Sequence, residues 1–525
     1  MKIFELFFII LATWQLGVTQ AANIMGIYTF DIKSHYLFAQ NLLKELALDG
    51  HNVTVFTGFE TKNLPPNYRE VKLNLASLDD FKKTMAKDGS VFNMFSYFNK
   101  FNEFALNSTK ALLVNDEYKA MVASKNVDVI LMNFAENPLF LGVGKELNAP
   151  IVITSAQKMT LVMEYYTGAY AHDSFVTNIL LPIADEMSFK ERLINTLTNW
   201  LSRILFEILK LQYKKDHEEL FPNVQETCNE VRINAVPLML VNSHFSLDRP
   251  MPYMTNMIET GGMQIPDVVN PLPTDLQKFI DSSKDGVIYF CMGGTLKMKD
   301  LDLEKKKIII EGLKKTKLPV IIKWDDESTI QEFIPKTKFF ASNWLPQNDI
   351  LANPKVKAYV THGGLLSTTE AVYHGVPIIG IPIFGDQRTN INKFIKRGIA
   401  VKLDYENLSA ASLSSTINSV IDDKNFAATA KTLSHRFRDR PMTPVQTGKY
   451  WIEYILRHGN PDFMKSPAMK LTMIEYFNWD VYLMILGSVL ISCYLGWKVS
   501  KCIFGKIWSL ICRKEQKKLI KNKQS

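Results

Sequence analysis

The chain has 525 residues, 47% hydrophobic and 22% charged, with 61 Lys and Arg against 53 Asp and Glu for a formal charge of +8. At roughly 150 residues per domain this predicts two or three domains with sizeable cores, and it excludes disorder of the low-hydrophobicity, high-charge kind. Five cysteines exclude a disulfide-dense scaffold. The charge is concentrated: Lys498 to Ser525 holds nine basic residues and one acid, Glu515, a net +8, while the remaining 52 basic residues balance 52 acids. A basic surface for coating nucleic acid is not expected.

In chain order, Lys2, the apolar stretch Leu6 to Leu16 and small residues at Thr19 and Ala21 read as a secretory signal over residues 1–21. Ala22–Phe30 reads as a strand, Asp31 to His35 as a polar turn and Tyr36–Leu48 as a helix through Leu37, Leu42, Leu43 and Leu46. Asp49-Gly50 stops it and Asn52–Thr57 reads as a second strand, completing a βαβ unit. Asn126–Met132 and Pro150–Thr154 are further strands around a helix at Leu139–Leu147. Leu197–Leu211 is an amphipathic helix with Trp200, Leu201, Ile204, Leu205, Ile208 and Leu209 on one side. The expectation is a core-facing helix, with an acceptor-channel or membrane-surface helix as the alternative.

A second run of strands follows at Val236–Val241, Gly286–Cys291, Pro319–Trp324 and Val356–Thr361, with helical stretches between. Alternating β and α over two halves predicts two doubly wound parallel sheets, in domains 22–240 and 241–458, with the ligand site in the cleft between them. After a linker at 459–478, the uncharged run Val481–Trp497 has 17 residues, the lower limit for a membrane span. A transmembrane helix over 479–498 would leave 499–525 as a basic cytosolic tail and the body in the lumen. The closing Lys521-Asn522-Lys523-Gln524-Ser525 has the spacing of a dilysine retrieval signal and points to the endoplasmic reticulum. Sequons at Asn52, Asn107 and Asn407 suit a luminal glycoprotein. Cys228 and Cys291 are the two luminal cysteines, and whether they pair stays open.

The chemistry concentrates in Trp344 to Gln387, WLPQNDILANPKVKAYVTHGGLLSTTEAVYHGVPIIGIPIFGDQ. Trp344 offers a face for stacking a nucleobase, and Gln347 an amide for its edge or ribose. His362-Gly363-Gly364 lies between a strand and a helix opening near Leu366, a turn whose backbone N–H groups make an anion site, with His362 as a further donor. Glu370 can accept from ribose hydroxyls, and Asp386-Gln387 suits sugar hydroxyls.

This stretch resembles the signature of UDP-glycosyltransferases, GT-B enzymes that move a sugar from a UDP-sugar to small lipophilic acceptors, and looks most like their membrane-bound, insect-type branch. The resemblance extends to Ala22–Thr57, to Val241–Ile265, to Val287–Thr295 (VIYFCMGGT) and to Thr443–His458. It implies GT-B architecture, two Rossmann-like domains facing across a cleft, with one C-terminal transmembrane helix. It also implies His35 as catalytic base, inversion at the sugar carbon, UDP-sugar as co-substrate and no cofactor or metal. Nine scattered histidines show no metal-ligand spacing either. Thr295 and Arg249 are candidates near the diphosphate. The family's acid partner for the histidine follows the strand matching Asp128–Met132, but here Asn133 stands there and Glu136 is the nearest carboxylate. Glu136 therefore either completes the dyad from a shifted loop or is an exposed loop acid. The expected function is transfer of a hexosyl group, glucose if insect-like, in detoxification-type conjugation. The alternative is a binding protein with weak or no turnover. Partners are the UDP-sugar, the lipophilic acceptor and membrane lipid through one helix, with self-association left open.

Overall fold

A computed structural model describes residues 21–522, except 76, 78–93, 136–137, 179–180, 182, 184–185, 295–297, 327–328, 330–334, 336, 384 and 461. Of the expected signal sequence only Ala21 is among them, and Lys523 of the retrieval signal is not. The described residues up to Ser466 form one compact unit, and those from Pro467 onward form another.

The first unit contains two all-parallel sheets. One comprises β1 (Asn23–Tyr28), β2 (Asn52–Thr57), β3 (Tyr68–Lys72), β4 (Val129–Asn133), β5 (Ile151–Ser155), β6 (Leu238–Val241) and β7 (Met257–Glu259), ordered β3-β2-β1-β4-β5-β6-β7. The other comprises β8 (Val287–Cys291), β9 (Val320–Lys323), β10 (Phe339–Ser342), β11 (Val356–Thr361), β12 (Ile378–Gly380) and β13 (Ala400–Lys402), ordered β10-β9-β8-β11-β12-β13. Each sheet is doubly wound. Its strand order reverses once, between β1 and β4 in the first and between β8 and β11 in the second.

Helices cover both faces, so the inner strands are buried on both sides and read in sequence as unbroken apolar runs, while edge strands such as β3 are partly exposed. Met25 and Ile27 of β1 enter one core, Ile24 and Tyr28 the other. In β8, Val287, Tyr289 and Cys291 face one way, Ile288 and Phe290 the other. Helix α1 (Lys33–Leu48) buries Phe38, Leu42, Leu43 and Leu46 against the first sheet, and α2 (Phe189–Leu220) starts at a Ser188–Glu191 capping box. In the second half, α3 (Gln347–Leu351), α4 (Leu365–His374) and α5 (Gln387–Lys396) follow β10, β11 and β12.

Two expectations need correction. First, the boundary at 240/241 does not separate the sheets: β7 pairs with β6, and α6 (Pro444–His458) returns to the first half. Val445, Ile452 and Ile455 of α6 share a core with Leu42 of α1. A Cβ on Gly448 would stand 3.1 Å from a Leu42 methyl, so the missing side chain permits the close crossing.

Second, the helix expected at Leu197–Leu211 is not core-facing through its apolar stripe. Leu197, Leu201, Ile204, Ile208 and Leu211 of α2 are exposed, while Asn195, Thr198, Asn199, Ser202 and Arg203 are buried. The buried stripe is held by a polar network. Arg203 donates to Glu164 at 2.9 and 3.0 Å and to Asp173 at 3.0 and 3.1 Å, and Asn199 donates to Asp173 at 2.8 Å. Bonded in this way, the polar side chains bear their burial and fix the helix with its apolar side outward.

The second unit is dominated by α7 (Trp479–Asn522), 44 residues long, whose stretch Trp479–Lys517 is by length and composition long and apolar enough to cross a membrane. The helix continues past the expected end at 498 because no proline interrupts the Lys-rich segment that follows.

Candidate active site

Open parallel sheets bind ligands beyond the carboxyl ends of their strands, at the point where strand order reverses. Both sheets place their polar motif residues there.

In the first half, the chain leaves β1 and turns into α1, which presents His35 in its first turn. His35 is buried, with Phe30 edge-on at 5.0 Å and Phe134 stacked at 5.9 Å. Its Nδ1 lies 3.2 Å from Oδ1 of Asn133, the last residue of β4. Burial pulls the imidazole pKa down to about 4, only partly offset by Asn133, so the ring is neutral near pH 7. With Nδ1–H donated to Asn133, Nε2 carries the lone pair of a base. Asn133 thus orients the ring but brings no negative charge to an imidazolium, and its Nδ2 is buried with no partner among the described residues. Glu136 lies outside the described residues.

In the second half, β8 ends at a glycine turn and β11 at His362-Gly363-Gly364. The buried His362 ring sits between the two: a Cβ on Gly293 would lie 2.4 Å from it and one on Gly364 2.7 Å. Gly293 and Gly363 have φ of +82° and +91°, a second reason for glycine at both. Gly364 caps α4 without a side-chain bond, so the first-turn N–H groups have no side-chain cap. Lys323, at the end of β9, donates to the Gly293 carbonyl at 2.8 Å. Burial, then the Lys323 charge, bring the His362 pKa down to about 4. The turn is therefore a neutral donor cradle beside one cation, suited to a diphosphate. Thr295 lies outside the described residues.

Trp344 precedes α3 and is 68% exposed, its face open to stacking. Gln347, at the start of α3, is engaged on both amide atoms. Its Oε1 accepts from Tyr359 at 2.9 Å and Tyr289 at 3.4 Å, and its Nε2 donates to Glu370 at 2.7 Å and Ser367 at 3.1 Å. It therefore holds Glu370 in place. Burial raises the Glu370 pKa to about 7, against the opposing bond from Gln347. Asp386 caps the start of α5 and accepts from Asn390 at 2.8 Å, while the buried Gln387 accepts the Ile383 N–H at 2.8 Å. Burial raises the Asp386 pKa, opposed by Asn390 and the charges of Lys158 and Lys393. Lys158 belongs to the loop after β5, so the first half acts electrostatically on this carboxylate.

The halves are joined by a buried ion pair, Lys393 to Asp248 at 2.9 Å, and by Asn41 and Gln264. Asn41 donates to the Gln264 carbonyl at 2.7 Å and Gln264 to the Leu366 carbonyl at 3.3 Å. Arg249 is salt-bridged to Glu186 at 2.9 Å, a carboxylate also 3.4 Å from Lys396. Cys228 and Cys291 are free, buried thiols. Sequence reasoning missed Lys323, Tyr289, Tyr359, Ser367 and Lys158. A lysine closing the apolar strand Val320–Lys323 was the one legible signal.

Two doubly wound parallel sheets, each with polar groups at its switch point, have the architecture of GT-B glycosyltransferases. The sequence matches the family described as UDP-glucoronosyl and UDP-glucosyl transferase over residues 30–514. It is 32% identical to UDP-glycosyltransferase UGT5 of Dactylopius coccus over 96% of this chain and 98% of that one. It is 29% identical to UDP-glucuronosyltransferase 2B1 of Rattus norvegicus over 88% and 89%. Its fold matches Medicago truncatula UGT71G1 complexed with UDP-glucose with a TM-score of 0.54, covering 83% of this chain and 99% of that one at 15% identity. The calicheamicin glycosyltransferase CalG4 matches at 0.57, over 84% and 100%, at 14% identity. The chain belongs to the UDP-glucuronosyl and UDP-glucosyl transferase family and is an enzyme that transfers sugar from a UDP-sugar to an acceptor.

Proposed function

We propose that the protein transfers a hexosyl group, glucose, from UDP-glucose to hydroxyls of small lipophilic acceptors, inverting the sugar carbon, with His35 as general base and no metal or other cofactor. The single observation behind this reading is the placement of His35–Asn133 and of the Gly293–His362–Gly364 cradle at the two switch points. The acceptor oxygen attacks the anomeric carbon as its proton passes to His35 Nε2, and the bond to the diphosphate breaks. The leaving UDP gains charge where the α4 N-terminus, His362 and Lys323 can receive it. Trp344, Glu370 and Asp386-Gln387 are assigned to uracil, ribose and sugar. We place the enzyme in the endoplasmic reticulum membrane, single-pass, with its body luminal, for detoxification-type conjugation.

A second reading, nucleotide and ligand binding with weak turnover, rests on Asn133 standing where a carboxylate would stabilise the imidazolium. Incubating the full chain with UDP-glucose, UDP-glucuronate and a panel of phenols decides. UDP release with UDP-glucose supports the proposal; release only with UDP-glucuronate replaces the sugar; UDP binding without release leaves the second reading.

A further inference from the structure

Tyr289 of β8 and Tyr359 of β11 are register partners on adjacent strands, their rings stacked at 5.1 Å and 9°. Both are fully buried, on the core side they share with Leu276, Ile350 and Val372. Close-packed rings on a sheet have no room to swing, so their hydroxyls emerge at one fixed spot. A buried hydroxyl needs a partner there. Both have the same one, Oε1 of Gln347, to which Tyr289 donates at 3.4 Å and Tyr359 at 2.9 Å.

Those two bonds fill one end of the amide. A carbonyl oxygen has two lone pairs, and the two phenols take both. The NH2 end has two hydrogens, and Glu370 and Ser367 take them at 2.7 and 3.1 Å. The orientation is fixed as well. Turned over, the amide would aim Oε1 at the Glu370 carboxylate, acceptor against acceptor. Gln347 therefore has no hydrogen bond left to give a nucleobase, and its work is done through Glu370. That carboxylate is held by Oε2, which leaves Oε1 to accept from a ligand.

We propose that Tyr359 and Tyr289 are positioning residues for the donor: they lock the Gln347 amide, which in turn holds Glu370 ready for a nucleotide with intact ribose 2′- and 3′-hydroxyls. This rests on the assignment of Glu370 to ribose in the proposed function. Without the Tyr359 hydroxyl, Oε1 loses its shorter bond, the amide is free to turn over, and Glu370 loses its donor. The ring itself only packs, so phenylalanine in its place keeps the core filled.

The test titrates the full chain in detergent with UDP and with 2′,3′-dideoxy-UDP by calorimetry, above the Glu370 pKa of about 7. The native chain should bind UDP roughly tenfold or more tighter than the dideoxy analogue, since hydroxyls donating to a carboxylate make charge-assisted bonds. Tyr359→Phe should weaken UDP about two- to tenfold and leave the dideoxy analogue unchanged, so that the preference shrinks. Equal weakening of both nucleotides, the mark of a merely structural role, overturns the proposal, as does an undiminished preference. In a Glu370→Gln background Tyr359→Phe should no longer alter the preference; an effect of the same size there refutes the route through Glu370. Tyr289→Phe removes the longer bond, should shift the preference less in the same direction, and repeats the test should Tyr359→Phe not fold. A native chain indifferent to the ribose hydroxyls refutes the ribose assignment and the proposal with it. Discrimination that is equal in the native chain and in Tyr359→Phe refutes only the proposal.

Discussion

His35 is held neutral by its surroundings more than by a partner. In its proposed role as base, with a pKa of about 4, it is available across the physiological range but takes a proton reluctantly, so it would favour acceptors that part with theirs readily. Turnover should rise steeply from alkanols to phenols and again as phenol acidity increases; a flat series across acceptor pKa would refute general-base limitation. The acid limb of kcat/KM should lie near pH 4, well below the ordinary histidine range. Asn133→Asp supplies the missing charge, so it should move that limb upward and raise kcat by about tenfold or more. His35→Ala should lower kcat by roughly 10²–10⁴-fold with UDP affinity retained, as expected for a lost base.

Glu370 is the second residue whose environment can be read out. Its pKa of about 7 means that near neutral pH the free enzyme holds it partly protonated, and in the proposed ribose contact the hydroxyls would donate to its ionised form. UDP-glucose binding should therefore release a proton and tighten as pH rises through about 7, then level off. Calorimetry in buffers of different ionisation enthalpy would detect the proton, and Glu370→Gln should abolish its release. The fold itself gains from the protonated form: that gain is whole below the ordinary carboxylate range and is lost as pH rises through about 7.

At the scale of elements, the inner strands and the glycine turns were legible in the sequence, because two-sided burial and tight turns restrict residue choice locally, whereas the four edge strands β3, β7, β10 and β13 were not. Val356–Thr361 was placed to the residue, and the helix expected near Leu366 begins at Leu365. The orientation of α2 was not legible, since periodicity reveals a stripe without saying which stripe faces inward. That choice was made by Glu164 and Asp173, distant in sequence, which bond Arg203. Likewise Gln347 read as a nucleobase ligand, while its two tyrosine partners and Glu370 lie on three other elements. A buried ion pair broken from one side costs about 3–5 kcal/mol. Lys393→Met should therefore lower stability by that order in denaturant titration. It should also raise the KM for UDP-glucose, since α5 begins at Asp386-Gln387. An unchanged KM would separate the pair from donor binding.

For the whole molecule, the net charge of +8 describes the tail and not the body, and the topology it suggests is open to test. Asn52, Asn107 and Asn407 are all exposed. If the body is luminal, glycosidase treatment of the chain expressed in animal cells should lower its apparent mass, and Asn407→Gln should remove part of that shift. A chain that never carries glycans would place the body on the cytosolic side. Activity should also persist in excess chelator; loss restored by a divalent cation would refute metal independence.

The return of α6 to α1 has a mechanical consequence. The second sheet is covalently an insertion within the first half: the chain leaves after β7 and comes back at Pro444, so two crossings carry it. A body carried on two crossings, and pinned between them by Lys393 and Asp248, has less freedom than one on a single tether. A substitution at either crossing should therefore change kcat or KM for UDP-glucose without removing any of the groups proposed to bind ligand.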